Sequence, residues 1–238
     1  MPDGSPDSLT GALTRPTIRT PRAAAVAGIA FSVLLTAALV LVRLAVPADP
    51  ADAGTWLTDD GKRDAVVLAL NLLPFAGIAF LWFIGVVRAR IGAGEDRLFA
   101  TVFLGSGLLF VAMLFCAGAI AGGLVLAAGD DPAVDVWSFG RRVSYTLLTV
   151  YSMRMAAVFA ISTTMIATRL QLAPRWLTIL GLGTGVVLLF TVGIVSWIEV
   201  LFPAWVFIFS LHILVASFRT PNTPHARHDD PRVDGAPP

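Results

Sequence analysis

Carboxylates are missing where a pump or an enzyme would need them. The chain has sixteen Asp and Glu among 238 residues, and none falls at mid-depth of a long apolar run. Proton-coupled pumps usually carry an intramembrane acid, so that class is disfavoured. The single cysteine, Cys116, excludes an internal disulfide and any cysteine-based metal cluster. Lys62 is the one lysine, and the other sixteen basic residues are Arg. There is no HExxH, GxSxG, P-loop or CxxC and no pair of carboxylates within one apolar run. This weighs against a metalloprotease, an acyl hydrolase and an ATPase. A net charge of +1 provides no field for nucleic acid. His212 is the only histidine inside an apolar run. A haem bundle would need a second axial ligand, and no Met stands out as one, so no cofactor and no metal are expected.

What is abundant is apolar sequence. Hydrophobic residues make up 56% of the chain and charged residues 14%, against about a quarter charged in a soluble domain. The apolar residues come in blocks of membrane-spanning length. Six spans are predicted: Ala23–Val46, Asp64–Val87 with Pro74 inside it, Leu98–Ala128, Arg142–Thr168, Trp176–Trp197 and Leu201–Phe218, the last being the shortest. Only Glu199 and Pro203 mark the boundary between the last two, so a five-span arrangement would merge or demote the sixth. Residues 1–21 and 220–238, rich in Pro, Ser, Thr and Asp, are expected to be disordered tails flanking a transmembrane domain at 22–219. The longest loop, Pro47–Arg63, is too short for a separate soluble domain. A signal peptide is the alternative for the first span, with Ala51-Asp52-Ala53 as its cleavage site. The apolar run of about twenty residues exceeds the 7–15 of a signal core, which favours a retained helix.

Charge orients the spans. Arg15, Arg19, Arg22, Arg88, Arg90, Arg97, Arg169, Arg175, Arg219, Arg227 and Arg232 lie on one side. Asp49, Asp52, Asp59, Asp60, Asp130, Asp131, Asp135 and Glu199 lie on the other, with Lys62, Arg63, Arg141 and Arg142. The positive-inside rule then puts both termini in the cytoplasm. Trp56, Trp137 and Trp197 near the outer boundary and Trp176 near the inner one fit an aromatic belt. No internal repeat is convincing. Aligning Asn71–Arg88 with Trp176–Gly193 shows only shared hydrophobicity.

Arg154 is the residue that points toward a function. It sits within the apolar stretch Val143–Thr168, about 18 Å along the helix from Arg142 and about 22 Å from Arg169. A charge at that depth costs roughly 2.5–3.5 kcal/mol on insertion scales. Snorkelling covers only several Å, so Arg154 is expected to face the bundle interior. There it either binds an anionic or carbonyl-bearing molecule or a lipid head group, or clamps backbone carbonyls, Asn71 or a hydroxyl. Tyr151 and Ser162 are expected on the same stripe. Pro74 frees the carbonyl of Leu70, and Asn71 beside it either forms a polar notch reaching Arg154 or belongs to an ordinary proline kink. His212 is expected to make a helix–helix hydrogen bond or join that polar site. Glu199 and Asp64 are candidate partners for Arg43 or Arg63. Gly118/Gly122, Gly181/Gly185, Gly105 and Gly107 allow close helix approach, either within the bundle or in a homodimer.

Arg154-Met-Ala-Ala-Val-Phe159, Ser162-Thr-Thr164, Leu172-Ala-Pro-Arg-Trp-Leu177 and Phe202-Pro-Ala-Trp-Val206 together resemble a pattern in actinobacterial multi-pass membrane proteins without an assigned activity. The resemblance covers the C-terminal half. It implies a membrane location and lends weight to Arg154 and the Pro174-Arg175-Trp176 turn as one recurring design. It implies no substrate and no catalytic residue.

These readings converge on an all-α, polytopic transmembrane bundle of six helices in a bacterial plasma membrane. Its partners are the lipid bilayer and either a membrane protein or a second copy, with no nucleic acid. The expected role is a non-enzymatic accessory or lipid-associated component. The alternative is a small transporter with a mid-membrane site built from Arg154, Asn71, Tyr151 and His212.

Overall fold

A computed structural model describes residues 20–46, 55–91, 97–127, 134–171, 174–191 and 197–219. The predicted tails, apart from Thr20 and Pro21 at the start of the first helix, the proposed cleavage site, and the loop residues Asp49, Asp52, Asp130 and Asp131 lie outside the described residues. Every long element is a helix: α1 (Thr20–Ala45), α2 (Asp60–Ile91), α3 (Arg97–Ala127), α4 (Val134–Thr146), α5 (Met153–Arg169), α6 (Arg175–Thr191) and α7 (Leu201–Arg219). A π-helical segment, Leu147–Ser152, joins α4 to α5 without a break, so seven helices make six rods. Helices are what apolar runs of this length must form in lipid, because every N–H and C=O has to be satisfied within its own segment. Five rods are long and apolar enough to cross a membrane, and α6 is an apolar helix of 17 residues. At 1.5 Å per residue α6 is about 26 Å long, close to the hydrocarbon thickness of a bilayer. The chain is a multi-pass membrane protein.

Two boundaries differ from expectation. The shortest rod is α6, not α7, which has 19 residues. The fourth rod begins at Val134 rather than Arg142, because α4 adds a polar first stretch with Asp135 in its opening turn. Asp135 suits the positive end of a helix dipole.

Proline shapes the ends. Pro174 precedes α6, and its carbonyl accepts hydrogen bonds from the Leu177 and Thr178 N–H groups at 3.0 and 3.2 Å. Pro203 sits in the first turn of α7, where its missing N–H costs nothing. Trp197 takes the left-handed conformation (φ 71°) at the turn into α7.

The rods close into a ring in the order α1, α2, α3, α5, α6, α7 and back to α1, with α4 beside α3. Side-chain pairs show the alternating directions. Arg22 lies 4.6 Å over the Phe218 ring, joining the start of α1 to the end of α7, and Arg169 lies 4.3 Å over Phe99. This is the proximal end. At the distal end Trp56 packs on Trp137 with centroids 6.3 Å apart, and Arg43 pairs with Glu199 at 3.0 Å. Trp56 and Trp137 are therefore buried in a small distal core with Ala45 and Val66, not spread along a lipid-facing belt. Trp176 and Trp197 do face outward.

Aromatic rings from five rods fill the centre. Phe31–Phe80, Phe103–Phe159, Phe80–Phe159 and Phe110–Phe202 have centroids 4.5, 4.9, 5.0 and 5.0 Å apart. Lipid tails are as apolar as these rings, so dispersion and shape rather than water exclusion hold them together. On the remaining rod, α6, glycines take the place of rings. A Cβ on Gly185 would sit 3.0 Å from the Ala157 carbonyl oxygen, so α5 and α6 pack backbone to backbone there. The Gly181/Gly185 pair thus serves packing within the bundle. Gly118 likewise meets Leu73 of α2, whereas Gly105 opens onto empty space and makes no close approach.

Candidate intramembrane polar site

Most hydroxyls within the rods are satisfied locally, with buried Ser210 of α7 an exception among the described residues. Ser32, Ser162 and Thr163 each donate to the carbonyl four residues back, at 2.7 Å. Such back-bonding makes a polar side chain tolerable in an apolar setting. It also leaves these groups without a call on a ligand.

Around Arg154 the pattern changes. The Leu147–Ser152 segment has wide π-type turns, a feature found frequently at functional sites. Thr149 and Ser152 are buried there, and their hydroxyls donate to the Tyr145 and Leu148 carbonyls at 2.8 and 2.7 Å. Ser144, just before it, donates across to the Ala117 carbonyl of α3 at 2.8 Å. This anchors the rod to its neighbour immediately ahead of the irregular stretch.

After the π-helix, α5 turns Met153, Ala156, Ala157, Phe159 and Ala160 inward, all fully buried. Spaced i, i+3, i+4 and i+7, the first, second, third and fifth form one packing stripe. Arg154 lies about 100° from Met153 around the helix and is exposed. It faces away from the bundle, contrary to the expectation of an interior guanidinium. The cost of a mid-membrane charge constrains its surroundings but not which way its helix is turned. Turning Arg154 inward would bring out the small-residue stripe by which α5 packs. No hydrogen bond or ion pair joins Arg154 to another described residue.

The other predicted residues are dispersed. Tyr151 is 54% exposed and shares the outward side of this rod with Arg154. Ser162 is buried and belongs to the packing side, not to the Arg154 stripe. Asn71 is exposed on α2, and its amide donates to the Val67 carbonyl of its own helix at 2.9 Å. Among the described residues no hydrogen bond joins Asn71 to Arg154, so the predicted notch linking them is not formed that way. His212 meets the Trp176 ring edge-on at 6.0 Å. It lies seven residues from Arg219, about 10 Å from the proximal end of α7. The expected pairing of Glu199 with Arg43 is present, whereas Arg63 pairs with Asp60 at 2.9 Å rather than with Asp64.

Two features escaped sequence reasoning. One is the π-helix, hinted at only by the run of hydroxyls from Ser144 to Ser152. The other is a groove of about 390 Å³ at the proximal end, lined by Thr168, Gln171, Arg175, Thr178 and Ile179. Among the described residues no group of three or more His, Cys, Asp or Glu side chains could hold a metal ion.

The rods, the outward arginine and the proximal groove define a helical multi-pass membrane protein. Compared with models of known protein families, with curated proteins and with solved structures, the chain matches none.

Proposed function

We propose that this protein is a non-enzymatic accessory subunit of a bacterial plasma-membrane complex, with both termini cytoplasmic, that docks another membrane protein through the outer side of α5. The observation that carries this reading is Arg154: exposed, within the apolar length of its rod, and paired with no described residue. Leaving a guanidinium against hydrocarbon costs several kcal/mol. A carboxylate on a neighbouring helix would remove that cost and make the contact selective. Tyr151 adds an adjacent hydroxyl and an aromatic face. A second copy is a poor source of the acid. Glu199, at the distal boundary, is buried and already engaged by Arg43, and no Asp or Glu lies at mid-depth of a rod. The partner is therefore a different protein with an acidic residue inside a spanning helix.

The transporter reading has less support. It needs a polar path through the bundle, yet the centre is packed with Phe31, Phe80, Phe110, Phe159 and Phe202. Arg154 and Asn71 both lie outside it.

The test is mild extraction after photo-crosslinking from position 151. The expected crosslink is to a membrane protein bearing Asp or Glu within a span. Arg154→Leu should abolish the association while leaving the fold intact, and neutralising the partner's acid in that background should restore it. Repeated recovery of a lone monomer with crosslinks only to lipid would refute the proposal.

A further inference from the structure

At the proximal end α5 ends in a turn at Leu170–Gln171, and the groove described above opens beside it. Its polar wall is built from both helices. Thr168 near the end of α5 and Thr178 in the first turn of α6 bring their hydroxyl oxygens to 3.1 Å. Gln171 adopts the left-handed conformation (φ 53°), with its N–H bonded to the Thr168 carbonyl at 3.1 Å. Its amide side chain makes no hydrogen bond to a described residue. Arg175 opens α6 and is exposed, and among the described residues no carboxylate pairs with it. One turn along α6, Ile179 is 71% exposed and continues the groove as an apolar wall, with Trp176 53% exposed alongside it.

We infer that this groove binds an anionic phospholipid, with the head-group phosphate held by Arg175, Thr178 and Gln171 and an acyl chain lying over Ile179. The chemistry matches in each part. A guanidinium presents a fork of N–H donors to phosphate oxygens. The Gln171 amide supplies further donors, and the Thr178 hydroxyl, whose O–H is directed to Thr168 Oγ1 or the Pro174 carbonyl, supplies one by rotating toward the phosphate. The positive end of the α6 dipole favours negative charge at the same place. A free phosphate ion would use the same donors but would gain nothing from the apolar wall. The continuity from Arg175 to Ile179 and Trp176 is what selects a lipid.

The experiment uses the full-length protein in detergent, titrated with phosphatidylglycerol or phosphatidylcholine and read by native mass spectrometry. Phosphatidylglycerol should be retained at low stoichiometry and phosphatidylcholine much less. Arg175→Gln should weaken retention by about tenfold or more, as expected for loss of a charge-assisted bond. Arg175→Lys should recover part of it, since charge remains without the fork. Thr178→Val, nearly isosteric, should weaken it several-fold. Arg88→Gln, at the same end on α2 outside the groove, should leave it unchanged. Three results would overturn the inference: equal retention of the two lipids, equal loss in the Arg88 and Arg175 variants, or displacement of phosphatidylglycerol by millimolar inorganic phosphate. The last would identify free phosphate as the ligand.

Discussion

The ion pair at the distal end allows a quantitative test of how the ring is closed. Arg43 near the end of α1 meets Glu199 in the turn before α7 at 3.0 Å, with the two side chains 26% and 5% exposed. That difference predicts an unequal response to mutation. Arg43→Met keeps the aliphatic stem but strands a carboxylate that water barely reaches. Stranding a buried charge costs about 3–5 kcal/mol. Glu199→Met strands a guanidinium that is a quarter exposed and can turn toward solvent, so its cost should be smaller, about 1–2 kcal/mol. The double Met variant removes both charges and substitutes side chains of suitable length, and such replacements are often neutral. The expected order of stability is wild type and double variant together, then Glu199→Met, then Arg43→Met. Reversible unfolding in mixed detergent, read by tryptophan fluorescence, measures all four corners of the cycle. If the two single variants lose equal stability, or if their losses add within about 0.5 kcal/mol in the double variant, the pair does not close the α1–α7 seam as argued.

Close approach between rods makes a second test. A Cβ on Gly181 would collide with Thr164 and lie 2.8 Å from the Trp205 indole nitrogen, so Gly181→Ala should destabilise by about 1–3 kcal/mol. Gly183 opens onto empty space, so Gly183→Ala should be neutral or stabilising by up to about 1 kcal/mol through helix propensity; both follow from thermal unfolding, and equal behaviour would refute the packing assignment. Ser210 is fully buried and its hydroxyl has no hydrogen-bond partner among the described residues. Ser210→Ala should therefore raise stability slightly in the same assay, by about 1 kcal/mol, and a clear loss would mean the hydroxyl is engaged.

The six rods were legible because a bilayer imposes a length. About twenty apolar residues are needed to cross it, and charges or prolines interrupt the apolar runs at the predicted places. Pro47 follows α1, the Pro174–Trp176 stretch opens α6, and Glu199 and Pro203 bracket the turn into α7. The Arg43–Glu199 pair was legible only as one of several pairings of Glu199 and Asp64 with Arg43 and Arg63, because all four residues stand near the same boundary. Rotation of the rods was much less legible. In a soluble helix, polar residues mark the face turned to water. In lipid the outward face is as apolar as the core, so Phe190, 75% exposed, and Phe159, fully buried, carry the same hydropathy. The facing of Arg154 was misjudged for this reason. The more reliable signal was the small-residue stripe Ala156, Ala157 and Ala160, which marks close packing rather than polarity. The π-helix shifts the angular register part-way along the fourth rod, which no regular period anticipates.

The amino-acid sequence by itself determined the membrane location, the number of rods and the approximate place of each along the chain, because hydrocarbon thickness and the distribution of charge act on segments one at a time. Only the tertiary structure decided that α1 closes against α7, that aromatic rings occupy the centre, that Arg154 looks outward, and that Thr168, Gln171, Arg175 and Thr178 line one groove. Those outcomes depend on shape complementarity between rods, which acts between segments distant in the chain and leaves no period in any one of them.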